Sequence, residues 1–156
     1  LSSAASDVYK RQGMRCNEMI LMEPEDIKPD YILVKHGKGS KERIVYFDAR
    51  AKIHLQNYLK SRSDNNPALF VSLRAPYHRL KIGGVEVRLR ELGKRLNLPK
   101  VHPHKFRRTL ATMAIDKGMP IEQVQHLLGH QSLDTTLQYA MVNQTNVKMS
   151  HRKFIG

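Results

Sequence analysis

The stretch that most constrains the fold is residues 103–129, where two helices are punctuated by proline and glycine. Pro103 opens "HKFRRTLATMAIDKG" and Gly118 closes it; Pro120 opens "IEQVQHLLG" and Gly129 closes that. Proline at the first helical position loses no hydrogen bond, because that N–H has no partner within the helix. Glycine past the last turn takes the left-handed conformation that ends a helix. In the first helix Phe106, Leu110, Met113 and Ala114 form an apolar stripe, with His104, Arg107, Arg108 and Ala111 on the other side and Ile115 breaking the pattern. In the second, Ile121, Val124, Leu127 and Leu128 face inward. Beyond Gly129, Ser132 or Asp134 can cap a last helix that carries Tyr139.

Upstream, the pattern alternates between helix and strand signals. "GMRCNEMILMEPEDI" reads as a helix with Met14, Met19 and Met22 inward, ending near Pro24, or at Pro29 at the latest. Tyr31 to Val34 and Arg43 to Phe47 are β-favouring runs joined by "GKGSK", a hairpin. Asp48 caps a helix with Ala51, Leu55, Tyr58 and Leu59 at helical spacing. "ALFVS" is a candidate strand, and Gly83–Gly84 opens a helix with Val85, Leu89, Leu92 and Leu96 on one stripe. The tail "NQTNVKMSHRKFIG" is basic and weakly patterned. The fold class is therefore mainly α with a small antiparallel β-sheet (α+β), and 156 residues suit one domain with a real core.

Charge narrows the function. Lys and Arg number 27 against 14 Asp and Glu, a net charge of +13. Such an excess points to a polyanionic partner, nucleic acid ahead of an anionic membrane. No run of 18 apolar residues suggests a membrane span, no signal-peptide pattern is present, and the single Cys16 cannot form an internal disulfide, which fits a reducing cytoplasm. Eight histidines raise the question of a metal, but HExxH does not occur, and His102 and His104 around Pro103 make a weak ligand pair.

Several residues suit phosphate chemistry. His104 and Arg107 lie three apart on one helix and share a face. Arginine offers a planar fork to two phosphate oxygens, and histidine gives or takes a proton near neutral pH. Alone, such a pair is a solvated polar face, His130 a capping histidine, Tyr139 a core or surface aromatic, and Lys38 a turn lysine. Their order along the chain distinguishes them: "GMRCNE", "GKGSKERIV", "HPHKFRRTLAT", then "LLGHQSLDTTLQYA", with Tyr139 nine residues after His130.

This order resembles the catalytic domain of the tyrosine recombinases, also called phage integrases. That family has an arginine in a TGLRxxE-like helix, a lysine in a GKGxKxR turn, then HxxR, LGH and a tyrosine. The resemblance runs from Gly13 to about Val142. It implies that Arg15 and Arg107 clamp a DNA phosphate, that Lys38 protonates the leaving 5′-oxygen, and that His104 accepts the tyrosine proton. It further implies that His130 hydrogen-bonds the phosphate and that Tyr139 is the nucleophile forming a 3′-phosphotyrosine. Glu18 matches the family's helix glutamate, and Arg108 stands where a histidine is common. No cofactor or metal is called for: the arginines neutralise transition-state charge as metals do elsewhere. Lys35, Lys41, Arg43, Lys105 and Arg108 are expected along the DNA backbone. The implied activity is site-specific recombination or integration on double-stranded DNA, by a homotetramer in the full-length parent. The competing readings are a non-catalytic DNA-binding remnant and a topoisomerase of type IB.

The resemblance stops abruptly before Gly13. Residues 1–12, "LSSAASDVYKRQ", show no apolar period and look like an adapter-derived leader. Residues 13–142 are then the catalytic domain and 143–156 a basic tail, either frayed or packed on a neighbouring protomer. A poorly supported Arg15 and an activity impaired by truncation are expected.

Overall fold

The computed structural model describes residues 4, 5, 8, 12–35, 37, 41–138 and 144–155. Its elements are α1 (Cys16–Ile20), a 3₁₀ turn (Pro24–Asp26), β1 (Ile32–Val34), β2 (Arg43–Val45), α2 (Ala49–Ser61), α3 (Ile82–Arg95), α4 (Pro103–Asp116), α5 (Ile121–Leu128), α6 (Leu133–Leu137) and α7 (Gln144–Phe154). The class is the expected one: mainly helical, with one two-stranded antiparallel sheet. Among the described residues no helix is long and apolar enough to cross a membrane.

The hairpin pairs Ile32 with Val45, Leu33 with Ile44 and Val34 with Arg43. Strand side chains alternate between faces, so Ile32, Val34 and Val45 enter the core while Ile44 faces out. The same alternation sends Arg43 to the inner side. Asp48 caps α2 as expected, accepting the Ala51 N–H at 2.8 Å. Met14, Met19 and Met22 are buried together with Leu55, Phe70, Val85 and Leu89 in the main core. A second, smaller cluster of Ala111, Val124 and Leu128 joins α4 to α5.

Several expectations about the elements are corrected. Residues 68–71 are buried but form no strand: their pairing stops at one isolated bridge, Val71 with Arg79, and other backbone groups bond elsewhere. Leu69 N–H goes to Met22 O, Val71 N–H to the Tyr58 hydroxyl, and Phe70 O accepts from Leu80 N–H. Leu96 leaves the α3 stripe and is 58% exposed, since the chain turns at Asn97 (φ 52°). Gly93 takes the buried place instead: a Cβ there would lie 2.8 Å from Val101 Cγ2. On α4 the buried residues are Pro103, Arg107 and Ala111, while Met113 is half exposed. The small Ala111 lets α5 approach, and Phe106 packs against the main core.

The amino-terminal stretch set aside above also reaches the core. Ala4, Ala5 and Val8 are helical and fully buried in the main core, and Gln12 is buried as well. Positions 4, 8 and 12 do repeat at helical spacing, but alanine, valine and glutamine make a faint stripe. The fold therefore includes residues ahead of Gly13. The tail also differs from its reading: most of it is the helix α7, whose Val147, Met149 and Phe154 are exposed.

Candidate active site

The site is organised by the C-terminal end of α5. Gly129 is left-handed (φ 63°), its N–H bonds to His126 O, and His130 N–H bonds to Gln125 O. Three carbonyls at this end each receive an arginine from a different part of the chain. Leu127 O accepts from Arg43 Nε (3.1 Å), Leu128 O from Arg107 Nη2 (2.9 Å) and Gly129 O from Arg15 Nη2 (3.2 Å). The end of a helix carries the negative pole of its dipole and carbonyls without helical partners, so guanidiniums are drawn to it. A Cβ on Gly129 would meet the Arg43 side chain at 3.0 Å. Arg107 also donates to Gly13 O, which fixes the chain entering α1.

One carboxylate holds two of these arginines. Glu18 is 2% exposed. Its Oε1 accepts from Arg15 Nη1 (2.9 Å) and Arg43 Nη1 (2.8 Å), and its Oε2 from Arg15 N–H (2.7 Å) and Arg43 Nη2 (2.7 Å). Burial alone would raise its pKa; the hydrogen bonds from Arg43 and Arg15 outweigh burial and hold it below the usual value. Three guanidiniums against one carboxylate leave the site with an excess of two positive charges.

His130 sits beside the cluster. Its Nε2 lies 3.4 Å from Arg107 Nη2 and its Nδ1 2.8 Å from Thr136 Oγ1. Burial, then the charges of Arg107, Arg15 and Arg43, push its pKa down to about 4, so the ring is neutral at pH 7. Gln125 Nε2 steadies its backbone by donating to His130 O at 3.2 Å. A cleft of about 230 Å³ opens between the hairpin and α5, lined by Gly37, Lys41, Arg43, His126 and His130 among others. Gly37 has no room for a side chain there, because a Cβ would lie 2.3 Å from Lys41 O.

Of the six residues expected to act on phosphate, the structure brings together Arg15, Arg107 and His130. His104 is exposed in the first turn of α4, its ring 6.3 Å from that of His102. Lys38 and Tyr139 lie outside the described residues, as does any continuation of α6 to Tyr139. Of the five residues expected along a DNA backbone, Lys35, Lys41, Lys105 and Arg108 are exposed. Arg43 is not available in that way: its guanidinium is bound to Glu18 and Leu127 O. Lys35 is paired with Asp26 at 2.5 Å. Sequence reasoning missed Arg43 as a structural partner of Glu18, although its place two before the inward Val45 signals it. It also missed Thr136, for which the sequence offers no signal.

Residues 2–146 match the phage integrase family. The chain belongs to that family. Within it, the chain is 37% identical over 155 residues to tyrosine recombinase XerC of Leptospira interrogans, covering 96% of this chain and 49% of that one. Tyrosine recombinase XerA of Pyrococcus horikoshii is 32% identical over 144 residues, covering 90% and 50%. The integrase-family fold also superposes on the crystal structure of XerA recombinase with a TM-score of 0.81 at 31% identity, covering 98% of this chain and 57% of that one. A XerH site-specific recombinase bound to a palindromic difH substrate shares the fold, at a TM-score of 0.76 and 24% identity over 94% of this chain and 43% of that one. The chain thus spans about half the length of the curated relatives it matches.

Proposed function

We propose that this chain is the catalytic part of a site-specific recombinase that acts on double-stranded DNA through a tyrosine nucleophile. The observation that carries the reading is the gathering of Arg15 and Arg107 on adjacent carbonyls of α5, with His130 against Arg107. Arginine side chains fixed at two points lose little freedom when they meet a phosphate, and donors already aimed at a developing charge stabilise it without reorganisation. The +13 charge supplies the general attraction to DNA.

In this reading Tyr139 Oη bonds to phosphorus while the bond from phosphorus to the 5′-oxygen breaks. His104 takes the phenolic proton, and Lys38 gives a proton to the leaving 5′-oxygen. Arg15 and Arg107 neutralise the non-bridging oxygens, and His130 hydrogen-bonds one of them. The 3′-phosphotyrosine conserves the bond energy, so a second strand's 5′-hydroxyl can reverse the step and exchange strands. Glu18 and Arg43 act through Arg15 as positioning residues. Lys41, Lys105 and Arg108 follow the backbone, and the full-length parent assembles as a homotetramer on its DNA in the cytoplasm.

The test is covalent capture. Nicked duplexes are selected from a random-sequence pool by their attachment to the protein. The parent sequence is expected to form a protein–DNA adduct resistant to denaturant, and Tyr139→Phe to bind the same duplex without attachment. Attachment by Tyr139→Phe would overturn the assignment.

A further inference from the structure

Thr136 is fully buried on α6, and its hydroxyl meets a ring nitrogen rather than the backbone. The two nitrogens of His130 face different chemistry. Guanidinium nitrogens only donate, so Nε2, 3.4 Å from Arg107 Nη2, is the acceptor in the arrangement seen here. The ring proton then sits on Nδ1 and donates to Thr136 Oγ1 at 2.8 Å. A phosphate oxygen imposes the reverse, because it only accepts. To hydrogen-bond it, Nε2 must carry the proton. Charging the ring to meet that demand is opposed by burial and by the three arginines. The neutral route is a change of tautomer, which turns Nδ1 into an acceptor. A carbonyl beside Nδ1 serves only the first state and an amide N–H only the second; a hydroxyl serves both.

We propose that Thr136 is a positioning residue that lets His130 exchange tautomers when a phosphate enters the site. Its hydroxyl accepts from Nδ1–H before the phosphate arrives and donates to Nδ1 once Nε2–H points at a phosphate oxygen. The protons balance on the ring: one leaves Nδ1 for solvent, one joins Nε2 from solvent, and the net charge is unchanged. The inference rests on the phosphate-binding reading above. It adds a residue three positions before Tyr139, so the segment leading to the nucleophile is tied to the ring that meets the phosphate.

The experiment uses protein labelled with ¹⁵N in its histidine rings, with dimethyl phosphate, a diester anion whose oxygens only accept, as the probe. Ring nitrogen shifts separate the two tautomers. The unaltered protein should show Nδ1–H without phosphate and Nε2–H at saturation. Thr136→Ser, which keeps the hydroxyl, should do the same. Thr136→Val preserves volume and removes the hydroxyl that serves both tautomers; its ring should lose the clean exchange, with mixed tautomers both without phosphate and at saturation. A purely packing role for Thr136 would leave Thr136→Val unchanged in both readouts, and that result overturns the proposal. Phosphate binding with no change of tautomer in the unaltered protein overturns it as well, while sparing the phosphate site. Absence of phosphate binding overturns both.

Discussion

Replacing Glu18 by glutamine isolates what holds the arginines. The carboxylate accepts four hydrogen bonds, two at each oxygen, and all four donors belong to Arg15 or Arg43. In Glu18→Gln, whichever way the amide is oriented, its NH₂ group faces two N–H donors. Two charge-assisted bonds are lost, and the guanidiniums no longer have a counter-charge. Breaking a buried pair by neutralising one partner costs about 3–5 kcal/mol. Arg15 is partly exposed and solvent relieves it, so the lower end, about 3 kcal/mol, is expected. The sign with pH follows from the direction of the Glu18 shift. Its folded pKa is depressed, so its contribution is fully present above the unfolded carboxylate pKa and is lost as pH falls through the lower folded value. Urea unfolding at pH 7 should give the full difference between the two proteins, and the gap should narrow in acid, below the ordinary glutamate range. If Glu18→Gln unfolds within about 0.5 kcal/mol of the parent at pH 7, a difference ordinary for a surface substitution, the carboxylate is not the anchor described here.

Two further outcomes follow from the same cluster. Gly129→Ala forces a left-handed alanine, at about 1–2 kcal/mol, and crowds Arg43; thermal unfolding should drop, and covalent capture of nicked DNA should fall by more than the lost stability explains. The His130 ring should titrate near pH 4 by NMR, well below its ordinary 6.5. Its folded pKa is depressed, so its stabilising effect is present above the unfolded value of 6.5 and declines as pH falls from there toward 4; a midpoint near 6.5 would show the ring to be solvated and away from the arginines.

Much of the fold was legible because local chemistry and tertiary packing agree. Pro103, Gly118, Pro120 and Gly129 mark α4 and α5, Asp48 caps α2, and the three methionines point inward, all as their spacing predicts. What escaped was set by tertiary partners. Arg107 is buried because carbonyls from Gly13 and Leu128 await it, and no stripe of apolar residues announces that. Arg43 reads as one more surface charge until strand alternation turns it toward Glu18. Residues 68–71 have strand composition but pair only through a single antiparallel bridge, Val71 with Arg79. The tail forms α7 with its apolar residues exposed, so no buried stripe exists to be read. In the candidate site, motif order supplied Arg15, Arg107 and His130, while Thr136 emerged only from the contact it makes with His130.

The most direct measurement is a crystal structure of Tyr139→Phe bound to a captured duplex. The scissile phosphate is predicted to lie at the end of α5, its non-bridging oxygens about 2.7–3.2 Å from the guanidiniums of Arg15 and Arg107 and from His130 Nε2. A phosphate seated elsewhere, with Arg15 still bound only to Glu18 and Gly129 O and Arg107 only to the carbonyls of Gly13 and Leu128, would contradict the account.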